Sequence, residues 1–432
     1  MDFLIKNAGV MRLDPPKSEE SDIRIADGVI AECGKNLRSK KGEEVVDCTG
    51  KFVLPGLVNA HTHLYSSLSR GMLPPKTAPK NFIEILQKVW WKLDEALDAE
   101  SIYYSGLVGA IEAVKFGTTT LIDHHASPNH IRGSLDLLKS GMMKAGVRGI
   151  LCYETTDRGG MKKRDWGLEE NERFVTENAN HPHFRGTIGA HASFTLCNDS
   201  LRKLGELASM YDCGVHIHAA EDKADVLDAT EHYNSDLISR FDDLGILRRK
   251  SILAHGVYLH QQQLSRIEKA GAWVIHNPRS NMNNAVGVAP LNWYGGHAGL
   301  GTDGFPSDMI EEAKIGYFRN AESEHRTEFS RMPSLLSNGQ KLSSEFFGRT
   351  FGTFTAGSMA DLVVLDYLPP TPLTKQNLIG HFLFGINSTM VQHVMVDGRW
   401  IVWNKQMMGL DEEAVMEKAR KVAQKLWNRM TK

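Results

Sequence analysis

One unit recurs through most of this sequence: a short apolar or β-branched run, a polar turn and a stretch with helical spacing. Strands that alternate with helices favour a parallel sheet, and eight of them predict a closed (β/α)8 barrel. An open, doubly wound sheet is the structural alternative, but no Gly-x-Gly-x-x-Gly motif follows an early strand. We therefore expect a barrel whose strands lie in the eight runs at residues 57–64, 118–124, 147–154, 187–194, 214–219, 252–257, 272–276 and 298–302.

Both ends of the chain have strand character of a different kind. Short apolar runs at residues 3–6, 22–25 and 29–31 precede the repeated unit, and runs at residues 360–366 and 391–402 follow it. Strands that enclose a barrel from both sides predict a small β-sandwich domain to which both termini contribute. The expected domains are a composite β-sandwich of residues 1–53 and 355–405, a barrel of residues 54–354, and a C-terminal helix within residues 406–432.

The connection after the first predicted strand is much longer than the others. Residues 65–100 contain Leu73-Pro74-Pro75 and a helical stretch at residues 82–97. Long inserts of this kind usually form a lid or one wall of a binding site, so we expect a lid-like insert here. After the last predicted strand, residues 308–322 indicate a helix, whereas residues 328–341 are typical of a loop-rich segment.

The composition excludes several classes of protein. Lys and Arg number 50 against 52 Asp and Glu, so there is no basic excess for binding nucleic acid. No run approaches the roughly 18 apolar residues of a membrane span, and the first residues lack the pattern of a secretory signal. The five cysteines form no Cys-x-x-Cys pair, which is typical of reduced thiols. We therefore expect a cytoplasmic protein that binds neither nucleic acid nor membrane.

The predicted strands end in side chains that bind transition metals. In a barrel of this type, catalytic groups lie at the C-terminal ends of the strands. His61 and His63 are two residues apart, so a strand presents both on one face. About one His-x-His is expected by chance in a chain this rich in histidine, so two barrel-mouth histidines without a metal are the alternative. Histidines with carboxylates suit a divalent metal with an open position, and the strand ends supply His61, His63, His191, His218, His255, Glu221 and Asp303.

Several of these candidates have a plain structural alternative. Glu221 follows His218 closely enough to donate a proton beside it, but an exposed charge at the start of a loop has the same pattern. Asp303 precedes Gly304, and such a pair more often marks a turn. His216 lies one layer deeper than His218, and we expect it to pack or to support a ligand. The weaker candidates for substrate contact, for which core packing, a salt bridge or a turn explains the residue about as well, are Trp90, Glu154, Arg279 and Asn281.

Motifs along nearly the whole chain match those of a known protein family. They are residues 55–63 (Pro-Gly-Leu-Val-Asn-Ala-His-Thr-His), residues 117–120 (Gly-Thr-Thr-Thr), residues 276–281 (His-Asn-Pro-Arg-Ser-Asn) and residues 357–363 (Gly-Ser-Met-Ala-Asp-Leu-Val). With them the chain resembles the amidohydrolase superfamily, in its cytosine deaminase and chlorohydrolase branch. Three further segments are similar to the SsnA-like group of aminohydrolases in particular, namely residues 90–94, 123–128 and 280–284.

This resemblance implies a barrel flanked by a β-sandwich from both termini, and a metal-dependent hydrolase. It implies Glu221 as the proton shuttle and His255 as the group that polarises the reacting centre. Family members with two metals usually carry a lysine at the end of strand 4, where this chain has His191 as a substrate contact or supporting residue. One divalent ion, zinc or iron(II), is therefore implied, in a protein that forms a homo-oligomer as many relatives do. The implied metal ligands are His61, His63, His218 and Asp303.

The residue types and the resemblance together predict an aminohydrolase. Glu221 can protonate a ring nitrogen while water attacks the adjacent carbon, and Asp303 can carry the proton of the water to the departing ammonia. A small heterocyclic substrate suits this site, namely a purine-, pterin- or pyrimidine-like ring with an amino group. The same site also suits hydrolytic ring opening of a cyclic amide or imide in purine or pyrimidine catabolism. A catalytically silent homologue would be expected to have lost a site residue, and none is lost here.

Overall fold

A computed structural model describes residues 2–431, which form eighteen β-strands and fourteen α-helices. None of these described helices has both the length and the apolar surface that a membrane crossing requires. The strands are β1 (Asp2–Leu13), β2 (Pro16–Ala26), β3 (Val29–Gly34), β4 (Glu43–Asp47), β5 (Phe52–Pro55), β6 (Leu57–Thr62), β7 (Thr118–His125), β8 (Arg148–Tyr153), β9 (Phe184–Gly186), β10 (Ile188–Ala192), β11 (Val215–Ala219), β12 (Ile252–His255), β13 (Trp273–His276), β14 (Ala298–Leu300), β15 (Leu362–Leu365), β16 (Val391–Val396), β17 (Arg399–Trp403) and β18 (Gln406–Met407). The helices are α1 (Phe82–Ile85), α2 (Trp91–Ala96), α3 (Ala99–Lys115), α4 (Ser134–Ala145), α5 (Met161–Glu177), α6 (Asn198–Met210), α7 (Lys223–Tyr233), α8 (Leu237–Asp243), α9 (Gln261–Lys269), α10 (Pro278–Asn283), α11 (Met309–Ala321), α12 (Arg331–Phe347), α13 (Leu378–Gly380) and α14 (Glu412–Met430).

The central part of the chain forms two parallel sheets. Their strand orders are β6-β7-β8-β9 and β10-β11-β12-β13-β14. Apart from the short β9, these strands lie in the eight predicted runs, with β7 extending one residue beyond its run. Their residues are buried, as continuous apolar runs indicate. Backbone contacts join the two sheets at both edges, where Thr62 pairs in parallel with Asp303 and Thr155 with Ala190. The chain therefore has a mixed α/β fold whose central strands all end on one side.

Helix α12 corrects the expectation of a loop-rich segment at residues 328–341. This helix packs along β6 and β14. Gly339 permits the close contact, because a Cβ there would come within 2.9 Å of the Cβ of Val58. The Ser, Asn and Gly residues of the stretch weaken a helix, but burial of Leu335 and Leu342 against the strands outweighs that local preference.

The two termini share one nine-stranded sheet. Its strand order is β18-β17-β16-β15-β5-β1-β2-β3, with β4 paired to β1. β15 pairs antiparallel with β5, which in turn lies parallel to β1, so strands from both ends of the chain form one hydrogen-bonded surface. The β-sandwich stays a prediction, because the strands are joined here as a single sheet.

Arg148 at the start of β8 connects the central strands to this sheet. The residue is 1% exposed, and its Nε lies 2.8 Å from Oδ2 of Asp361 and its Nη2 lies 3.1 Å from Oδ1 of Asp397. Helix α14 makes a further connection, since Nε1 of Trp427 donates a hydrogen bond of 2.8 Å to the carbonyl of Leu68. Arg148 thus ties the nine-stranded sheet to the central strands, and Trp427 ties α14 to the insert after β6.

The long insert after β6 lies against the C-terminal ends of the strands. It contains a helical turn at residues 64–69 and then α1 and α2, which are joined by residues 86–90. Phe82 and Leu86 pack with Val257 and Val286 in a small apolar cluster. The insert is therefore held beside the strand ends by buried apolar side chains.

Candidate active site

A cavity opens between the insert and the C-terminal ends of the parallel strands. The segments at and after the strand ends contribute polar side chains to its lining, namely His63, Glu154, His191, His218, Glu221, Asn284 and Asp303. The insert contributes a further part of the wall, mostly apolar and aromatic, with Tyr65, Phe82, Leu86, Trp90, Trp91 and Asp94. A concave site with an apolar wall and a few converging polar groups is typical of a small-molecule site.

Two of the predicted site residues have left-handed backbone, His255 at the end of β12 and Asp303 shortly after β14. The φ angles of His255 and Asp303 are 79° and 54°, a region that residues with a side chain rarely adopt. Neighbouring groups hold both turns: the hydroxyl of Tyr294 donates to the carbonyl of His255 (3.0 Å), and the N–H of Asp303 donates to the carbonyl of His61 (3.0 Å). Both side chains consequently reach the same centre, where Oδ1 of Asp303 lies 3.5 Å from Nε2 of His61.

His63 and His218 each have one ring nitrogen fixed by the backbone. Nδ1 of His63 lies 2.6 Å from the carbonyl of His124, and Nδ1 of His218 lies 2.8 Å from the carbonyl of His191. Because a carbonyl oxygen only accepts hydrogen bonds, each Nδ1 carries the hydrogen and each Nε2 presents a lone pair in the neutral ring. Metal-binding histidines typically have their outer nitrogen held in this way.

His61 and His255 are held by side chains. Nδ1 of His61 lies 2.8 Å from Nε2 of His216, and Nδ1 of His255 lies 2.8 Å from Oδ1 of Asn281. Within residues 2–431, the buried Nε2 atoms of His61 and His255 have no hydrogen-bond partner. A buried polar atom without a partner is costly unless a ligand completes it. These two nitrogens therefore point to a missing ligand at this centre.

The free ring nitrogens and one carboxylate converge on a single point. The ligand atoms of His61, His218, His255 and Asp303 lie within 4.8 Å of one another. Nε2 of His63 joins them, 3.1 Å from Nε2 of His218 and 3.0 Å from Oδ1 of Asp303. Imidazole lone pairs around a carboxylate are the donor set of a divalent transition metal. The residues present therefore fit a metal ion.

Glu221 and Asp303 are buried carboxyl groups with opposite pKa shifts. Burial raises the pKa of Glu221 well above its ordinary value, and the negative charge of Asp303 raises it further. Burial alone would also raise the pKa of Asp303, but its contacts with His61 and His63 outweigh burial and hold that pKa well below the ordinary value. Oε2 of Glu221 lies 3.6 Å from Nε2 of His255. Two carboxyls whose pKa values are pushed apart are typical of a proton donor beside a proton acceptor.

A second group of buried side chains, which the sequence analysis did not assemble, adjoins the first. Nδ1 of His124 at the end of β7 lies 3.1 Å from Oε2 of Glu154, and Nε2 of His191 lies 3.9 Å from Oε1 of Glu154. The ligand atoms of His124 and Glu154, together with those of His63 and His218, also lie within 4.8 Å of one another. A neutral imidazole offers one lone pair, so His63 and His218 each serve one ion only. If both rings bind an ion at the first centre, the second group retains only His124 and Glu154 as donors.

The structure brings three of the five predicted substrate contacts to the cavity, namely Trp90, Glu154 and His191. Arg279 does not line it: Nη1 lies 2.7 Å from Oε2 of Glu311, and Nη2 donates a hydrogen bond of 2.6 Å to the carbonyl of Pro306. Asn281 is also absent from the lining, because its amide oxygen is directed to His255. In this structure both side chains therefore contact other protein groups and not the cavity.

The insert is fixed by an ion pair that the sequence analysis did not identify. Nη2 of Arg158 lies 2.5 Å from Oδ2 of Asp94, and the guanidinium lies 4.6 Å from the ring centre of Trp91. Burial raises the pKa of Asp94 to about 8, although Arg158 acts in the opposite direction. The pair spans 64 residues and ties α2 to the loop after β8. No local pattern marks such a pair, because its partners meet only in the folded chain.

This chain is similar over nearly its whole length to proteins that are named as deaminases. A 5-methylthioadenosine/S-adenosylhomocysteine deaminase of Pyrococcus furiosus is 29% identical over 430 residues, which cover 97% of this chain and 100% of that protein. A 5′-deoxyadenosine deaminase of Methanobrevibacter smithii is 29% identical over 446 residues, with 98% of each chain covered. The crystal structure of an adenosine deaminase from Xanthomonas campestris with bound zinc has a TM-score of 0.87 and 21% identity, covering 98% of both chains. That likeness shows a shared fold.

The family itself is shown by a match to the whole central region. The model of the Amidohydrolase family matches residues 52–401, which is most of the chain and includes the ends of all the parallel strands from β6 to β14. This protein therefore belongs to the amidohydrolase family and is a hydrolase that acts on carbon–nitrogen bonds.

Proposed function

We propose that this chain is a metal-dependent aminohydrolase that removes the amino group from a purine-like ring by hydrolysis. The observation that carries the proposal is that Glu221, Asp303 and histidines of metal-binding type meet at one cavity. The similarity to proteins named as deaminases of 5-methylthioadenosine, S-adenosylhomocysteine and 5′-deoxyadenosine supports a small purine nucleoside as the substrate class.

One divalent metal ion is part of this proposal. When bound at such a site, a divalent metal lowers the pKa of water towards neutrality and polarises the bond under attack. A single ion is supported by His191, which stands where a bridging lysine would be expected in two-metal relatives. Zinc is the first choice and iron(II) the second, because both accept imidazole and carboxylate donors. The proposed ligands are His61, His63, His218 and Asp303.

In this proposal Glu221 and Asp303 carry out the proton transfers, and His255 polarises the reacting centre. The raised pKa of Glu221 keeps a proton on its carboxyl group, which delivers that proton to a ring nitrogen and so makes the neighbouring carbon a better electrophile. Asp303, whose pKa is held low, accepts a proton from the attacking water and returns it to the amino group that leaves as ammonia. His255 carries its hydrogen on Nδ1 and directs Nε2 to the same centre, where the neutral ring accepts a hydrogen bond from the attacking water and polarises it.

The cavity wall supplies the proposed substrate contacts. Trp90 from the insert offers an aromatic face to a flat ring, and Glu154 and His191 offer polar groups in the same cavity. Glu154 is 5% exposed and is held by His124, so its carboxylate is fixed before substrate binds. A flat ring that carries hydrogen-bond donors suits these surroundings.

We also infer the architecture that presents this site. The two parallel sheets form one (β/α)8 barrel of residues 54–354, with residues 65–100 as a lid-like insert. Residues 1–53 and 355–405 form the composite β-sandwich beside it. The paired edges of the two parallel sheets support closure of the barrel, and the shared nine-stranded sheet supports the composite domain.

A substrate panel tests the function. Metal-reconstituted protein is incubated with adenosine, 5′-deoxyadenosine, amino-pterins, amino-pyrimidines and cyclic amides, and both ammonia and product mass are measured. We expect ammonia from a purine nucleoside, with oxygen in place of the amino group. A product that has gained a whole water without release of ammonia would establish ring opening and overturn the proposal.

A further inference from the structure

Residues 280–284, which we call the α10 segment, pass the cavity shortly after β13 ends. The hydroxyl of Ser280 donates a hydrogen bond to Oδ2 of Asp303. The other oxygen of that carboxylate, Oδ1, faces the ring nitrogens and lies 3.0 Å from Nε2 of His63. The α10 segment therefore occupies one oxygen of Asp303 and leaves the second for the metal-binding centre.

Asn284 likewise binds one carboxylate oxygen of Glu221 and leaves the other free to face the site. Nδ2 of Asn284 donates to Oε1 of Glu221 at 3.3 Å, and Oε2 is left facing Nε2 of His255 at 3.6 Å. The amide of Asn284 is itself oriented, because Nδ2 of Asn283 donates to Oδ1 of Asn284 at 3.1 Å. The NH2 group of Asn284 is thus directed to Glu221, and Asn284 serves as a donor.

Asn281 makes the third contact, with the opposite polarity. Its Oδ1 lies 2.8 Å from Nδ1 of His255, so the ring carries its hydrogen on Nδ1 and directs Nε2 to the site. The side chain of Asn281 is 2% exposed and lies outside the cavity lining, which excludes a direct contact with substrate in this arrangement. Position 281 therefore supplies an acceptor, whereas position 284 supplies a donor.

We propose that the α10 segment is a positioning element that selects, in each of three catalytic groups, the atom that faces the reaction. Ser280 turns Oδ1 of Asp303 inward, Asn281 turns Nε2 of His255 inward, and Asn284 turns Oε2 of Glu221 inward. All three contacts come from little more than one helical turn, so one rigid element orients the acid, the base and the polarising group together. The proposal rests on the proposed function, because it assigns work to the same catalytic groups.

The test uses the opposite polarity of positions 281 and 284. Asn281→Asp keeps an acceptor oxygen for His255, so we expect kcat within about tenfold of the unmodified protein, whereas Asn281→Leu removes the acceptor and lowers kcat about 10–100-fold. Asn284→Asp removes the donor and lowers kcat by a similar factor of about 10–100. KM stays within about threefold in these variants, because the oriented groups change and the substrate contacts do not. If Asn284→Asp does not fold, Asn284→Ala also lacks the donor and serves in its place.

Ser280 provides a readout that does not depend on turnover. Ser280→Ala frees the Asp303 carboxylate to rotate, so we expect metal affinity to fall about tenfold or more, measured with zinc by competition against a coloured chelator. Ser280→Thr keeps the hydroxyl and restores the affinity. Met282→Ala is the matched control, because Met282 lies on the same helix, is 45% exposed and does not line the cavity. We expect this variant to leave kcat, KM and zinc affinity unchanged.

Two results would overturn the positioning role. Aspartate that is equally tolerated, or equally harmful, at positions 281 and 284 would mean that packing and not polarity matters there. A rise in KM at constant kcat for the Asn284 variants would make Asn284 a substrate contact instead. Failure of the proposed function is a separate outcome: the unmodified protein would then release no ammonia from any substrate, while the zinc affinities of the Ser280 variants would still be measurable.

Discussion

The Nε2 atoms of His63 and His218 lie 3.1 Å apart, while the Nδ1 atoms of both rings are held by backbone carbonyls. In neutral rings, two nitrogen lone pairs would face each other at this distance, and they repel unless a cation lies between them. Burial lowers the pKa of His63, but the hydrogen bond with Asp303 and its charge outweigh burial and raise that pKa to about 9, so a proton separates the two rings in the metal-free protein. We expect a bound divalent ion to take the place of that proton and to stabilise the folded chain.

Removal of the metal should lower the thermal stability of the protein. Dialysis against a chelator is expected to lower the unfolding midpoint, and zinc at a free concentration of about 100 times its dissociation constant should restore about 2.7 kcal/mol. Differential scanning fluorimetry with and without zinc measures the change. His218→Ala is the control, since it removes one proposed ligand. An equal response to zinc in that variant would contradict the assignment.

Glu221→Gln should separate metal binding from turnover. The amide cannot deliver a proton to the ring, so kcat is expected to fall about 10²–10⁴-fold. Zinc content per chain should stay unchanged, because Glu221 is not among the proposed ligands. Glu231→Gln makes the same chemical change at an exposed position of α7 and should leave both quantities as they were. Full turnover in the Glu221 variant would remove it from the mechanism.

Glu154→Gln should weaken substrate binding more than it slows the chemical step. Loss of one buried charged contact to substrate predicts a rise in KM of about tenfold with a smaller change in kcat. Arg279→Met is the contrasting variant, because Arg279 lies outside the cavity and pairs with the buried Glu312. It should leave KM unchanged and lower the unfolding midpoint. Steady-state kinetics that show the reverse pattern would restore Arg279 as a substrate contact and exclude Glu154.

Arg148 and Asp361 connect the central parallel sheets to the nine-stranded sheet. We therefore expect Asp361→Asn to lower the stability of the protein strongly. Arg148 is fully buried, and without the carboxylate its charge is left without its closest partner. Removal of one partner from a buried ion pair typically costs about 3–5 kcal/mol. Urea denaturation gives the free energy of unfolding directly. A loss below about 1 kcal/mol, as for exposed ion pairs, would show that this contact does not hold the sheets together.

The lowered pKa of Asp397 predicts how the stability of the protein changes in acid. The hydrogen bond from His183, with the charge of Arg148, holds the pKa of Asp397 at about 2, below its ordinary value of 3.8. Because the folded-state pKa is the lower one, the contribution is fully present above about pH 4 and is lost as pH falls towards 2. The stability difference between the unmodified protein and Asp397→Asn should therefore shrink over that interval. A difference that is constant with pH in urea denaturation would contradict the assigned contact.

The positions of the central strands could be predicted from the sequence because their signal is local. A strand buried on both faces needs a continuous apolar run, and His61, His255 and Asp303 each stand where such a run ends. The imidazole and carboxylate groups of these residues, placed at strand ends, were enough to indicate a metal centre. The two-residue spacing of His61, near the end of β6, and His63, just after it, likewise predicted that both side chains face the same side.

Contacts between distant segments could not be predicted in this way. Helix α12 owes its existence to packing on β6 and β14, which overrides a weak local preference. Arg279 had the right charge for a substrate contact, but in the folded chain its guanidinium pairs with Glu311 and Glu312. Asn284 gave no sign of contacting Glu221, because that contact depends on how β13 and α10 approach β11 in three dimensions.

The most direct test of the account follows the oxygen and the nitrogen in one reaction. The zinc-loaded protein is incubated with 5′-deoxyadenosine that carries a labelled amino nitrogen, in water labelled with heavy oxygen, and mass spectrometry examines both products. The account predicts that the labelled nitrogen leaves as ammonia and that heavy oxygen takes its place on the ring, while Glu221→Gln shows neither change. Heavy oxygen that enters without loss of the labelled nitrogen would contradict hydrolytic deamination as the reaction of this site.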